Sequence, residues 1–172
     1  GYTYDASITI PFIRLLYERA VASTPPGFRG VVAADRRLLD PATVAAWGVA
    51  RAPDGTWLVP GYSTDGAIAQ LYRRARMCDS RGEWSWRLLP TPGMWTEKRA
   101  HALHLPVADF NPKRSAVVVC EGPWDGMALW EVQRDVWGDA NIIAVPGCTV
   151  WQPEWTELCR GKAVTLLYDS DH

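Results

Sequence analysis

The residues with the most chemistry to offer lie in the last third of the sequence, and they are acidic. Asp169 and Asp171 stand two residues apart at the end of an apolar run. In an extended segment alternate side chains share a side, so the two carboxylates can hold one hard cation together. Mg2+ (or Mn2+) suits this oxygen-only set, because Mg2+ keeps several waters and takes one or two carboxylates plus substrate phosphates. Glu121, at the end of another apolar run, is the candidate third ligand or the group that moves a proton. Gly147 ends a third such run and would let a phosphate or sugar approach the backbone closely, with Gly122 as a second cofactor-binding candidate. Asp-x-Asp or Glu-Gly alone is a weak signal. Their order on successive apolar runs is a stronger one.

Those runs must be strands. Ala116-Val117-Val118-Val119-Cys120 is continuously apolar, as a strand buried on both faces is. A helix is predicted to begin near Trp124, with Ala128, Leu129, Val132 and Val136 as its buried stripe and Glu131, Arg134 and Asp135 facing water. Asn141–Val145 is the second strand, Pro153–Leu158 a short helix and Ala163–Tyr168 the third strand. Strand and helix in alternation predict a parallel sheet with right-handed crossovers, and ligands bind beyond the carboxyl ends of such strands. Upstream, Ile13, Leu16, Tyr17, Ala20 and Val21 recur at helical spacing. A second helix has Asp40 as N-cap, Pro41 at its first position, Val44 and Trp47 on one face and Gly48 as its stop. Between helix and sheet, Trp57–Val59, Ala67–Tyr72 and Glu83–Leu89 are short β-prone runs in a small twisted unit. The expected organisation is a helical segment over 1–54, a basic β-rich subdomain over 55–112 and a C-terminally incomplete α/β domain over 113–172.

Composition narrows the classes. A chain of 172 residues, 48% hydrophobic and 22% charged, is neither a small disulfide scaffold nor disordered. It contains no apolar run of the roughly 18 residues that a membrane helix needs, and the stretch from Gly1 to Asp5 lacks the basic and apolar regions expected of a signal peptide. Cys78, Cys120, Cys148 and Cys159 are scattered, which argues against a zinc ribbon or a disulfide framework and for a reducing, cytoplasmic compartment. The missing initiator Met, and an end just after an apolar run, suggest a piece of something longer. The net charge of −1 hides an asymmetry. Between Leu71 and His101, Arg73, Arg74, Arg76, Arg81, Arg87, Lys98 and Arg99 outnumber Asp79, Glu83 and Glu97. From Ser115 onward the balance is acidic. One part suits a polyanion and the other suits cations.

The segment Glu121-Gly122-Pro123-Trp124-Asp125-Gly126-Met127-Ala128-Leu129 resembles the first motif of Toprim domains, found in topoisomerases, primases and some nucleases. Val145-Pro146-Gly147 resembles the family's glycine turn. Leu167-Tyr168-Asp169-Ser170-Asp171 resembles its Asp-x-Asp motif, with Ser170 where bacterial primases often have Gly. The resemblance implies that Glu121 is a general acid/base or metal ligand and that Asp169 and Asp171 bind Mg2+. Asp125 matches a recurrent position, although an Asp in a helix's first turn also complements the helix dipole, the role we favour. Asp35–Val49, with its Leu39–Val49 core, resembles the helical segment before the catalytic core of bacterial and phage DNA primases, while Leu58-Val59-Pro60 with Gly66–Arg74, and Arg87–Pro92, with Arg87 in place of Lys, resemble segments of that core. Two departures stand out: no zinc ribbon is present, and the sheet stops at its third strand, so part of the metal site is expected beyond His172.

The expected function is that of a primase-type nucleotidyltransferase, making short RNA primers from ribonucleoside triphosphates on single-stranded DNA, with a replicative helicase as a further partner and no membrane. Arg73, Arg74, Arg87 and Lys98 would then face phosphates, Arg74 and Arg87 from one cleft. Trp84 and Trp86, alternating in the basic tract, are candidates for base stacking, whereas Trp47 and Trp130 sit in packing patterns. His101 and His104 could share a helix face, but no third ligand lies nearby, which argues against zinc. The alternatives are a Toprim-type metal-dependent nuclease, with Glu121 as base for a water, or a non-catalytic module that binds nucleic acid or a helicase. The fragment ending at His172 is expected to be weak or inactive.

Overall fold

A computed structural model of the chain describes residues 40–52, 54–91, 102–133, 138–147 and 149–169. The predicted helix at 13–21 and the residues Lys98, His101, Val136, Ser170, Asp171 and His172 lie outside them. Helix α1 (Pro41–Ala46) is built as its sequence dictates. The Asp40 carboxylate caps it by accepting from the Ala42 amide at 2.7 Å, Pro41 occupies the first turn, and Gly48 leaves the helix at φ 71°.

The middle of the chain is a four-stranded antiparallel sheet, β1 (Ala50–Arg51), β2 (Trp57–Tyr62), β3 (Ile68–Cys78) and β4 (Trp84–Pro90), in sequential order. β3 runs six residues past its predicted end. With β4 it forms a long ribbon closed by a turn in which Asp79 Oδ1 accepts from the amides of Arg81 and Glu83, both at 2.9 Å. Directly opposed residues share a face. Tyr72, Arg74, Arg76 and Cys78 therefore share one face with Pro90, Leu88, Trp86 and Trp84, and Arg73, Ala75 and Met77 share the other with Leu89, Arg87 and Ser85.

The second sheet is parallel, β5 (Ala116–Cys120), β6 (Ala140–Ala144) and β7 (Ala163–Leu167), in the order β6-β5-β7. Helix α2 (Pro123–Gln133) joins β5 to β6; a 3-10 turn (Pro153–Trp155) and the short α3 (Thr156–Cys159) lead from β6 back across β5 to β7. As its sequence predicts, β5 is buried on both faces. Val118 and Cys120 pack with Met127 of α2, while Val117 and Val119 pack with Trp155 on the opposite side.

Two elements depart from expectation. Ala128 and Leu129 of the predicted stripe pack half-buried against the core, but Val132 is 76% exposed and the fully buried positions of α2 are Pro123, Gly126 and Met127. Glu131, expected in water, accepts the Asp40 amide at 2.7 Å and ties α2 to the start of α1. β7, expected to be buried, is an edge strand with Val164, Leu166 and Leu167 exposed.

Gly126 explains the setting of α2. A Cβ there would stand 2.5 Å from Cη2 of Trp47 and 3.2 Å from Cβ of Ala144, so the helix approaches an indole that is 1% exposed and has nowhere to withdraw. Gly126→Ala gains up to about 1 kcal/mol of helix propensity but overpacks by about 1–3 kcal/mol. A net loss of stability in urea titration is expected. Equal or higher stability would show that Trp47 gives way.

Residues 102–105 stitch the sheets together. Leu103 exchanges backbone hydrogen bonds with Tyr62 (2.6 and 3.1 Å), and His104 with Ala144 (2.9 and 2.8 Å). Tyr72 Oη accepts the Ala102 amide at 3.1 Å. Gly61 makes room for this crossing, since a Cβ there would meet Ala102 Cβ at 2.7 Å.

Candidate active site

In the order β6-β5-β7 the β5–β6 connection runs to one side of β5, and the β6–β7 connection crosses back to its other side. The crevice between the carboxyl ends of β5 and β7 is therefore the switch point at which open α/β sheets bind ligands. Glu121 follows β5 and Asp169 follows β7 by two residues. Glu121 Oε2 accepts the Asp169 amide at 3.2 Å, so residues 48 positions apart in sequence meet at this edge. Asp125, in the first turn of α2, belongs to the same neighbourhood. Its Oδ2 would lie 3.2 Å from a Cβ on Gly122, and its charge, second to burial, raises the Cys120 thiol to about 12.

Glu121 is half-buried and Asp169 exposed, and among the described residues no Lys or Arg forms an ion pair with either. Two uncompensated carboxylates at an open sheet edge are a donor set that fits a hard divalent cation. Among the described residues no three acidic, His or Cys side chains converge as a complete ligand set. Gly147 follows β6 and thus lies on the far side of Glu121 from Asp169, not between the carboxylates. A Cβ there would meet only Val150 Cγ2 at 3.8 Å, so packing does not require glycine at this position.

The basic residues divide. Arg74 is 7% exposed, and its guanidinium lies 4.9 Å from the Trp86 ring centroid and 5.2 Å from that of Trp124. The two indoles clamp the cation, and burial lowers its pKa. Trp124 is three residues past Glu121, so this clamp joins the basic ribbon to the acidic edge. Arg87 is exposed on the opposite face of the ribbon, its Nε donating to Ser85 Oγ at 3.3 Å. Arg74 and Arg87 therefore do not line one cleft, as the sequence had led us to expect. Arg73 shares the face of Arg87, and its buried Nε has no hydrogen-bond partner among the described residues. Trp84 and Trp86 are 59% and 52% exposed.

Sequence reasoning missed Trp124 as the hinge of this arrangement. The available signal was an aromatic in a helix's first turn directly after an acidic loop. It also left His104 unassigned; far from a helix face, that ring is buried, with Nδ1 2.8 Å from the Pro60 carbonyl oxygen.

An antiparallel ribbon unit stitched to a parallel sheet is an arrangement shared with the catalytic cores of solved primases. Comparison with solved structures gives the same class. Over 97% of its length the chain superposes on the zinc-binding and RNA polymerase domains of Aquifex aeolicus primase, with a TM-score of 0.60 and 14% identity. It is similar to a DnaG primase catalytic domain bound to single-stranded DNA (TM-score 0.57, 15% identity, 96% of this chain and 63% of that one). The RNA polymerase domain of Mycobacterium tuberculosis DnaG, in complex with double-stranded DNA, matches at a TM-score of 0.55 and 14% identity, over 95% of this chain and 64% of the other. The chain spans 50% of the Aquifex chain. By sequence, no family model and no curated protein matches it. No helix among the described residues is long and apolar enough to cross a membrane.

Proposed function

We propose that this chain is the catalytic part of a DNA primase, which joins ribonucleotides on a single-stranded DNA template. The observation that carries the reading is the meeting of Glu121 and Asp169 at the β5/β7 switch point, with the basic ribbon anchored beside them through Trp124. The likeness to DnaG cores supports it at the level of fold.

In the reaction the 3′-hydroxyl oxygen of one ribonucleotide attacks the α-phosphorus of the next. A new P–O bond forms as the bond to pyrophosphate breaks. Asp169, with Asp171 and Glu121, would hold Mg2+ or Mn2+, which neutralises triphosphate charge when bound. Glu121 would either complete that metal site or accept the proton that the hydroxyl releases. Gly122, directly after Glu121, would leave the crevice open to phosphate, whereas Gly147 lies beyond it on the β6 side. Arg73, Arg87 and Lys98 supply positive charge for template and triphosphate, and a replicative helicase is the partner that would present the single strand.

The natural protein, given single-stranded DNA, Mg2+ and labelled ribonucleoside triphosphates, should produce short oligoribonucleotides. DNA cleavage with no ribonucleotide incorporated would transfer the assignment to a nuclease in which water replaces the 3′-hydroxyl. Binding without either reaction would leave a non-catalytic module.

A further inference from the structure

The face of the β3–β4 ribbon that carries Trp84 and Trp86 is unusual for a soluble protein. Two indoles, two residues apart on one strand, are each more than half exposed, whereas Trp47 and Trp155 are 1% and 2% exposed. Exposed aromatic surface of this extent calls for a reason. Each indole also has a guanidinium against it: Arg74 4.9 Å from the Trp86 centroid, and Arg76 5.3 Å from that of Trp84. The register sets these groups along the ribbon as a column, Trp124, then Arg74, then Trp86 level with Arg76, then Trp84, running from the first turn of α2 outward to the hairpin turn.

We propose that this column is a base-stacking platform for single-stranded nucleic acid, along which a strand runs toward the Glu121–Asp169 edge. Three features select that occupant. First, the charge is complementary to a polyanion. Residues 68–90 contain Arg73, Arg74, Arg76, Arg81 and Arg87 against Asp79 and Glu83, and the Asp79 carboxylate is engaged by the amides of its own turn. Second, the spacing fits. Side chains two apart on a strand lie ~6.8 Å apart, about twice the ~3.4 Å rise per nucleotide of a stacked strand, so an extended single strand can set successive bases on successive indoles. Third, stacking needs an unpaired base with its π-face open, which a duplex withholds. The guanidiniums fix the rings in place and thereby lower the entropy lost when a base docks. The platform rests on the nucleic-acid part of the proposed function but not on its chemistry.

The test measures binding with EDTA present and no ribonucleotides, so it is independent of catalysis. Fluorescence anisotropy compares oligothymidylate with an abasic deoxyribose-phosphate oligomer of equal length and charge. The unmodified protein should prefer oligothymidylate, which should also quench tryptophan emission. Trp84→Ala and Trp86→Ala should each weaken oligothymidylate about tenfold while leaving the abasic oligomer unchanged. Trp84→Phe should recover most of the loss, since phenylalanine keeps a π-face at the position. Equal affinity of the unmodified protein for the two oligomers would overturn the proposal. So would alanine variants that lose both oligomers alike, or that lose neither, as a protein-docking ribbon would. Absence of primer synthesis with the oligothymidylate preference intact would instead count against the primase reading alone.

Discussion

Asp169→Asn is expected to reduce primer synthesis by ~100-fold or more while leaving the fold unchanged, because it removes a formal charge from the carboxylate edge and preserves side-chain shape. The fold should tolerate the change, since Asp169 is exposed and its hydrogen bond to Glu121 is made through the backbone amide. Glu121→Gln should be comparably severe. Glutamine still offers an oxygen to the Asp169 amide, so a loss of activity reports on charge or proton transfer and not on that contact. Asp171→Asn is expected to behave like Asp169→Asn. Initial rates over a Mg2+ titration separate the roles: a weakened ligand shifts the titration to higher Mg2+, whereas a lost proton acceptor lowers the plateau. Unchanged rates in Asp169→Asn, with circular dichroism matching the unmodified protein, would remove the metal assignment.

The second large effect is on stability. His104 is 1% exposed between the sheets, its ring 5.0 Å from that of Tyr72, and burial pushes its pKa down to about 4 despite the opposing hydrogen bond to Pro60. With Nδ1–H donating to that carbonyl, Nε2 is left without a partner among the described residues. A folded-state pKa below the unfolded value of 6.5 means that the unfolded chain takes up the proton first. Stability is therefore complete above about pH 6.5 and is lost as the pH falls toward 4, in total by about 3 kcal/mol at 1.36 kcal/mol per unit. Urea midpoints between pH 8 and 4 should fall in the unmodified protein. His104→Gln keeps an N–H donor but cannot titrate, so it should be less stable at pH 8 and flatter across the window. The same slope in both proteins would show that His104 is not the titrating group. Asp54 and Asp65, held low by hydrogen bonds, are exposed and lose their contribution chiefly as the pH falls past their ordinary value of 3.8, at the acid end of this window and below it.

The sequence was legible where one physical cause dominates. α1 has its cap, its proline and its stop written in single residues. β5 is apolar without interruption because both of its faces are covered, and the acidic residues stand at strand ends because backbone runs out there into an open crevice. What stayed hidden depends on partners distant in sequence. The apolar run of β7 reads like that of β5, yet sheet order puts β7 at the edge, and the same order places Gly147 beyond Glu121. α2 carries apolar residues on every side, so periodicity does not choose a buried face; the absent Cβ of Gly126, fitted to Trp47, chooses it. Likewise, alternation puts Arg73 and Arg74 on opposite faces of β3, but which of them shares a face with Arg87 is decided by the register that the Asp79–Glu83 turn sets.

The strip from Ala102 to Leu105 has a consequence for how the molecule opens. Its Leu103 bonds belong to the antiparallel sheet and its His104 bonds to the parallel one, and all four of its residues are buried. Neither sheet can release the strip without exposing the interior face of the other. The amide protons of Leu103 and His104 are thus held by two sheets at once, and they exchange with solvent at the rate of the whole molecule's unfolding, while those near the Asp79–Glu83 turn exchange by local fraying. The two sheets are therefore expected to open as one unit even though the tip of the ribbon frays on its own, which native-state hydrogen exchange would show as equal protection of the Leu103 and His104 amides.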